Sequence, residues 1–279
     1  MSALTNPAPL PSEAIEISVG FDLELRCPQP TPMIVTLGVH ASRAADLLQN
    51  DTLQSTPAVP LRSYVDSFGN QCQRLVAPAG LLRLHARGLV ADSGRPDPVL
   101  PALPQRPVDD LPDEVLLFLL SSRYCESDLL TDLAWSLFDR APTGWGRVQA
   151  ICDAVHRHVR FDYNRSSPTQ SALTTYQSGE GVCRDFAHLA IAFCRCMNIP
   201  ARYCTGYLSD LEVPPPHSAM DFAAWFEAYL GDGWHVFDPR NNTPRIGRIL
   251  IARGRDAADV ALTTTFGPSR LESFQVRTA

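Results

Sequence analysis

The 279-residue sequence has no run approaching the roughly 20 uninterrupted apolar residues that a membrane span requires. Its opening, MSALTNPAPLPSEAIEI, lacks both the basic start and the apolar core of a secretory signal. The expectation is therefore a cytoplasmic protein with no membrane partner. Basic residues form no stripe: 24 are dispersed among 30 acidic ones, for a net charge of -6, which argues against nucleic acid as a partner. There is no internal repeat, and no low-complexity segment apart from one proline-rich stretch. What remains is an ordinary globular composition, 45% hydrophobic, on a chain long enough for two domains or one large one.

The eight cysteines are irregularly spaced, and several lie in apolar helical runs. All except Cys183 read as reduced, buried small hydrophobes. A zinc site built from Cys194, Cys196, Cys204, His156 and His158 is disfavoured. Its C-x-C pair falls inside a predicted helix, where residues two apart diverge by about 200°.

Residues 1–91 alternate apolar and polar positions in AIEISVGFDLELRC and GLLRLHARGLVAD, with a turn at FGN. That pattern predicts a small antiparallel sheet or sandwich. Residues 92–112 hold six prolines and no sustained period, which predicts an extended linker. Residues 113–279 change character. PDEVLLFLLSSRYC has the apolar density of a helix, and SDLLTDLAWSLFD follows with Ser127 as its N-cap. GRVQAICDAVHRHV places Val148, Ile151, Cys152, Val155 and Val159 on one helical face, with His156 and His158 off it. RDFAHLAIAFCRCMNIP is apolar nearly all round and predicts a buried helix; ARYCTGYL, the 220–239 hairpin and RIGRILIARGRDAADVAL predict strands. The order defines an α+β fold.

Within that order, Cys183 follows GEG and opens the buried helix. Unpaired N–H groups there are expected to lower its thiol pKa and to stabilise an oxyanion on an attacked carbonyl. Gly179 and Gly181 are expected to let the chain turn and a substrate approach the sulfur. Asp185 could cap the helix or polarise Arg184; Trp225 and Phe226 could line a groove or fill the core.

The succession GEGVCRDFAHLAIAFCRCMNIPARYCTGYL, AWFEAYLGDGWHVFDPRNN and GRDAADVAL resembles the transglutaminase-like core, a papain-related fold, over roughly residues 145–262. The N-terminal region resembles the β domain that precedes this core in many bacterial members. The resemblance implies an N-terminal antiparallel β domain (1–91), a linker (92–112) and a papain-like core of helices packed on an antiparallel sheet (113–279). It also implies a cysteine hydrolase that cleaves peptide or isopeptide amide bonds through a thioester on Cys183. Asp238 matches the orienting carboxylate, and neither a cofactor nor a metal is implied. Read from their own positions, Tyr176 could donate to an oxyanion, and Gly181 and Trp225 could border a bound substrate. A peptide or protein is the implied partner, and no acidic loop offers a calcium site.

The family's histidine position falls on Ala223, which can neither accept nor donate the proton. Three explanations stay open: a histidine removed from an ordinary triad, His217 serving from the loop PPPHSAMDF, or a thiolate working with water. His235 should point away from Asp238, and His188 should pack against the sheet. The alternative function is a non-catalytic binding protein that keeps the fold.

Overall fold

The structure, a computed structural model, describes residues 14–215 and 221–279. Seven strands come first: β1 (Ile15–Cys27), β2 (Thr31–Val35), β3 (Leu47–Gln49), β4 (Gln54–Thr56), β5 (Arg62–Val65), β6 (Gln71–Ala77) and β7 (Gly80–Asp92). The alternation read in the sequence is the cause of their pairing. β1 and β7 run antiparallel from Ile15↔Asp92 to Cys27↔Gly80, and Ile17, Val19, Phe21, Leu23 and Leu25 all point into one core.

Helices follow: α1 (Asp113–Leu116), α2 (Ser127–Phe138) and α3 (Trp145–His158). The long helix expected over PDEVLLFLLSSRYC is confined to α1 and a single 3₁₀ turn. Val115 and Phe118 turn inward while Leu117 and Leu120 face solvent, and a reciprocal Ser122–Cys125 backbone turn ends the segment. Ser127 is the first residue of α2 and not its cap; Glu126 holds the cap position, without a side-chain bond to the helix. On α3, Val148, Ile151, Cys152 and Val155 are buried and His156 and His158 exposed, as the periodicity predicts.

The remaining elements are β8 (Arg160–Phe161), α4 (Ala172–Ser178), β9 (Glu180–Gly181), α5 (Cys183–Cys196), β10 (Ala201–Leu208), β11 (Ala223–Leu230), β12 (Gly233–Phe237), β13 (Arg248–Gly254), β14 (Thr263–Thr265) and β15 (Arg270–Thr278). α5 is buried on every side from Asp185 to Cys196, because α2, α3 and α4 cover one face and β10 and β11 the other. Arg195 survives in this core by donating to the carbonyls of Ala201, Leu120 and Arg255. The core sheet runs β12-β11-β10-β13, antiparallel throughout. His188 is fully buried, stacked on Tyr124 with Nε2 accepting from the Ala257 N–H.

Two features depart from the boundaries expected from sequence. β15 pairs with β1 and β14 with β2, so the last strands belong to the N-terminal sheets, ordered β15-β1-β7-β3 (with β4 on β7) and β14-β2-β6-β5. Short alternating segments carry no signal for which sheet they join, and the exposed edges of β1 and β2 supply the partners. The proline-rich segment 92–112, expected as an extended linker, is bonded along its length to the core. Its Leu103 and Pro104 carbonyls accept from the N–H groups of Trp145 and Gly231, and Gln105 donates to the Met197 carbonyl.

Candidate functional site

Cys183 is the first residue of α5 and is half-buried, whereas the other seven cysteines are buried; all eight are unpaired thiols. The helix start is fixed by Asp185, whose Oδ2 accepts the Val182 N–H at 2.8 Å, while its Oδ1 lies 3.5 Å from Arg184 Nε, so the residue both caps the helix and pairs with Arg184. Gly181 is required by the capping contact. A Cβ there would lie 2.7 Å from Asp185 Cβ and 3.1 Å from Gln170 Nε2. Its lack of a side chain admits the cap, a packing role beside the expected one of making room for a substrate.

The thiol is not acidified. Burial pushes Cys183 up to about 11, and the carboxylates of Asp221 and Asp238 add to the rise; the N–H groups of Ala224 and Arg184, which face the sulfur, oppose it without prevailing. The expected depression fails because a short row of N–H dipoles does not outweigh desolvation together with two negative charges. The Ala224 contact also places the sulfur against the opening of β11, beside Ala223. Sequence reasoning missed Asp221, which stands two residues before β11 and accepts the Phe222 N–H at 2.7 Å. Local desolvation raises its carboxyl above the usual range, although the residue as a whole is exposed. Tyr163 and Tyr203 also sense the Cys183 charge, whereas Tyr176 stacks on His158 at 4.5 Å and packs edge-on against Phe193. Tyr176 is thus placed among α3 and α5 by its ring contacts.

Asp238 follows β12 and is buried. Its Oδ1 accepts the Asn241 N–H at 3.0 Å, and its Oδ2 accepts from Asn241 Nδ2 at 2.8 Å and Arg248 Nη2 at 3.1 Å. Among the described residues no histidine bonds Asp238 or Cys183. His235 meets Trp145 edge-on and His156 faces the Pro239 carbonyl, while His217 lies outside the described residues. Trp225 is 1% exposed and sits under the Arg248 guanidinium, 4.7 Å from its ring centroid. Ala223 packs on the same face of the sheet, with Cys204, Trp225 and Leu250. Arg248 carried no local motif; its role comes from reaching Asp238 across the sheet.

A half-buried cysteine opening a central helix, laid against an antiparallel sheet that carries a buried aspartate, defines the class of α+β proteins built on a transglutaminase-like core. The sequence model of the transglutaminase-like superfamily matches residues 132–239. A solved structure named "a Putative Cysteine Protease from Cytophaga hutchinsonii" is 32% identical, with a TM-score of 0.83 over 96% of this chain and 91% of that one. An uncharacterized protein of Mycobacterium leprae is 37% identical over 120 residues, 41% of this chain and 43% of the relative. A Mycobacterium tuberculosis relative is 34% identical over 126 residues, 40% of each chain, so the chain spans less than half the length of these mycobacterial relatives. The chain belongs to the transglutaminase-like superfamily.

Proposed function

We propose that the chain performs acyl transfer at Cys183, opening peptide or isopeptide amides through a thioester and passing the acyl group to water. The observation that carries this reading is the position of the thiol. It is the most accessible of the eight, at a helix start, with the Ala224 and Arg184 N–H groups facing the sulfur. The name of the Cytophaga relative points the same way. Chemically, Sγ attacks the carbonyl carbon, the amine leaves with a proton, and water then releases the acid. With Ala223 in the histidine position, proton transfer lacks a positioned imidazole, so turnover is slow. Incubation with a p-nitrophenyl ester followed by mass spectrometry tests this. A single acyl adduct on Cys183 is expected, and labelling spread over several cysteines removes the assignment. The sequence contains no lysine, so transfer onto lysines of its own chain does not confuse the readout.

A second reading, a binding protein that keeps the fold without turnover, is favoured by one observation. Both oxygens of Asp238 are already occupied by Asn241 and Arg248, which leaves the carboxylate committed to a buried ion pair. Absence of any Cys183 adduct, with the protein folded, selects that reading.

A further inference from the structure

The face of the core sheet turned away from α5 carries a second constellation. Cys204 pairs with Trp225 on one side and Arg253 on the other, so Trp225, Cys204 and Arg253 form one row across three strands with their side chains on the same face. Residues 92–98 and Arg43 close over part of this face, leaving a cleft of about 600 Å³ between the N-terminal sheets and the core.

Arginines 43, 95, 245, 248 and 253 line the cleft, against the carboxylates of Asp92, Asp97 and Glu227. Most of these charges are matched. Arg43 pairs with Asp92, Arg245 with Asp210, Arg248 with Asp97 and Asp238, and Glu227 with Arg202. Arg253 differs: its guanidinium forms no hydrogen bond or ion pair among the described residues. Burial and then the neighbouring Arg202 hold it below the usual arginine value, against the pull of the Glu227 carboxylate, whose bonded partner is Arg202. The same two arginines add to burial in pushing the enclosed His40 down to about 4. Beneath the cleft lie two buried donors without partners: the indole Nε1 of Trp225, 1% exposed, and Nη1 of Arg248, whose side chain is 5% exposed. Buried donors are almost always satisfied, because an orphan costs about 1–3 kcal/mol. A guanidinium without a bonded partner, lining one cleft with two residues that carry unsatisfied N–H donors, is an arrangement an oxyanion completes.

We propose that this cleft binds the oxyanion of a small molecule, a carboxylate or a phosphate, between Arg253 and the N–H donors of Trp225 and Arg248. The anion supplies the bonded partner that the Arg253 guanidinium lacks and the acceptor that the two donors lack. The site lies on the face of the sheet turned away from α5; it shares Arg248 with Asp238, but the proposal does not depend on the acyl-transfer reading.

Thermal unfolding of the full chain, with inorganic phosphate and with succinate as probes at ionic strength held constant with chloride, tests the proposal. One of the two should raise Tm along a saturating curve; saturation with phosphate alone or succinate alone assigns the group. Arg253→Gln should shift that midpoint concentration upward about tenfold. Arg62→Gln, an equal charge change on the exposed β5, should leave it in place. Trp225→Phe keeps an aromatic ring, deletes the donor and should also weaken binding, which keeps the test decisive if Arg253→Gln folds poorly. No rise, a rise that never saturates, or equal weakening by Arg253→Gln and Arg62→Gln overturns the proposal.

Discussion

The guanidinium of Arg248 donates to Asp238 at 3.1 Å although β13 and β12 are opposite edges of the core sheet. Both side chains are at most 5% exposed, and Asp97 shares the same guanidinium at 3.0 Å. Burial alone would lower the arginine's pKa; the two carboxylates reverse that and raise it. The aspartate that an imidazole would need is therefore held by an arginine, and the position the resemblance gives to that imidazole is a half-buried alanine beside Trp225.

Restoring the imidazole separates a disabled triad from a binding protein. Ala223→His places a proton acceptor on the strand whose Ala224 N–H faces the sulfur. If only the base is missing, hydrolysis of a p-nitrophenyl ester should rise by about 100-fold or more, with a new acidic limb in the pH–rate profile. A gain of less than about threefold, in a variant that melts like the parent, places the chain with the binding proteins.

Thiol reactivity gives a second test, with the sign fixed by the surroundings of Cys183. A thiol at about 11 is ionised in only about one molecule in ten thousand at pH 7, so iodoacetamide should react slowly there and about tenfold faster per pH unit up to pH 10. Asp221→Asn removes a neighbouring negative charge and should lower the thiol pKa, speeding alkylation at pH 8 by roughly threefold. A rate insensitive to pH between 7 and 10 refutes the raised value.

How far this could be read in advance follows from the range of each signal. α5 and β10 to β12 were legible because each is local: an apolar run ended by Pro200, a strand spelled by ARYCTGYL, a two-residue turn opened by Gly231. Cys183 and Asp238 stood in recognisable surroundings. What was not legible depends on contacts between distant residues. The return of β15 to β1 pairs Thr278 with Val19, and no local period encodes that pairing. The raised thiol pKa depends on how deeply α5 is covered, and the Arg248–Asp238 pair on the crossing of strand ends. Tyr176 and Gly181 sat close to Cys183 in sequence, yet one faces α3 and the other faces Asp185.

Gly181 offers a stability test of its packing role. Adding a Cβ at 2.7 Å from Asp185 Cβ forces the capping side chain or the β9 backbone to move. Gly181→Ala should cost about 1–3 kcal/mol in denaturant unfolding, and the double variant with Asp185→Ala should cost less than the sum of the two single changes. Simple additivity would show that the two residues do not compete for one space.

The C-terminal strand is fastened to the first by charge as well as by backbone pairing, and that fastening should depend on pH. Asp22 of β1 accepts from Arg83 Nε at 2.8 Å and Arg277 Nη1 at 2.9 Å, and also from Arg87. Burial would raise its carboxyl, but the hydrogen bonds from Arg87, Arg83 and Arg277 outweigh burial and hold it well below the usual carboxylate range. A carboxyl lowered in the folded state contributes stability that is complete above its unfolded value and is lost as pH falls toward the folded one. Asp22→Asn should therefore cost about 2 kcal/mol at pH 7, and the gap between parent and variant should narrow steadily below about pH 4. Arg277→Gln should reproduce part of the loss at pH 7, since it removes one of the three donors and the only one on β15. Urea unfolding of the three proteins at pH 7 and at pH 3 measures both effects, and a gap that stays constant between those values refutes the ionic fastening.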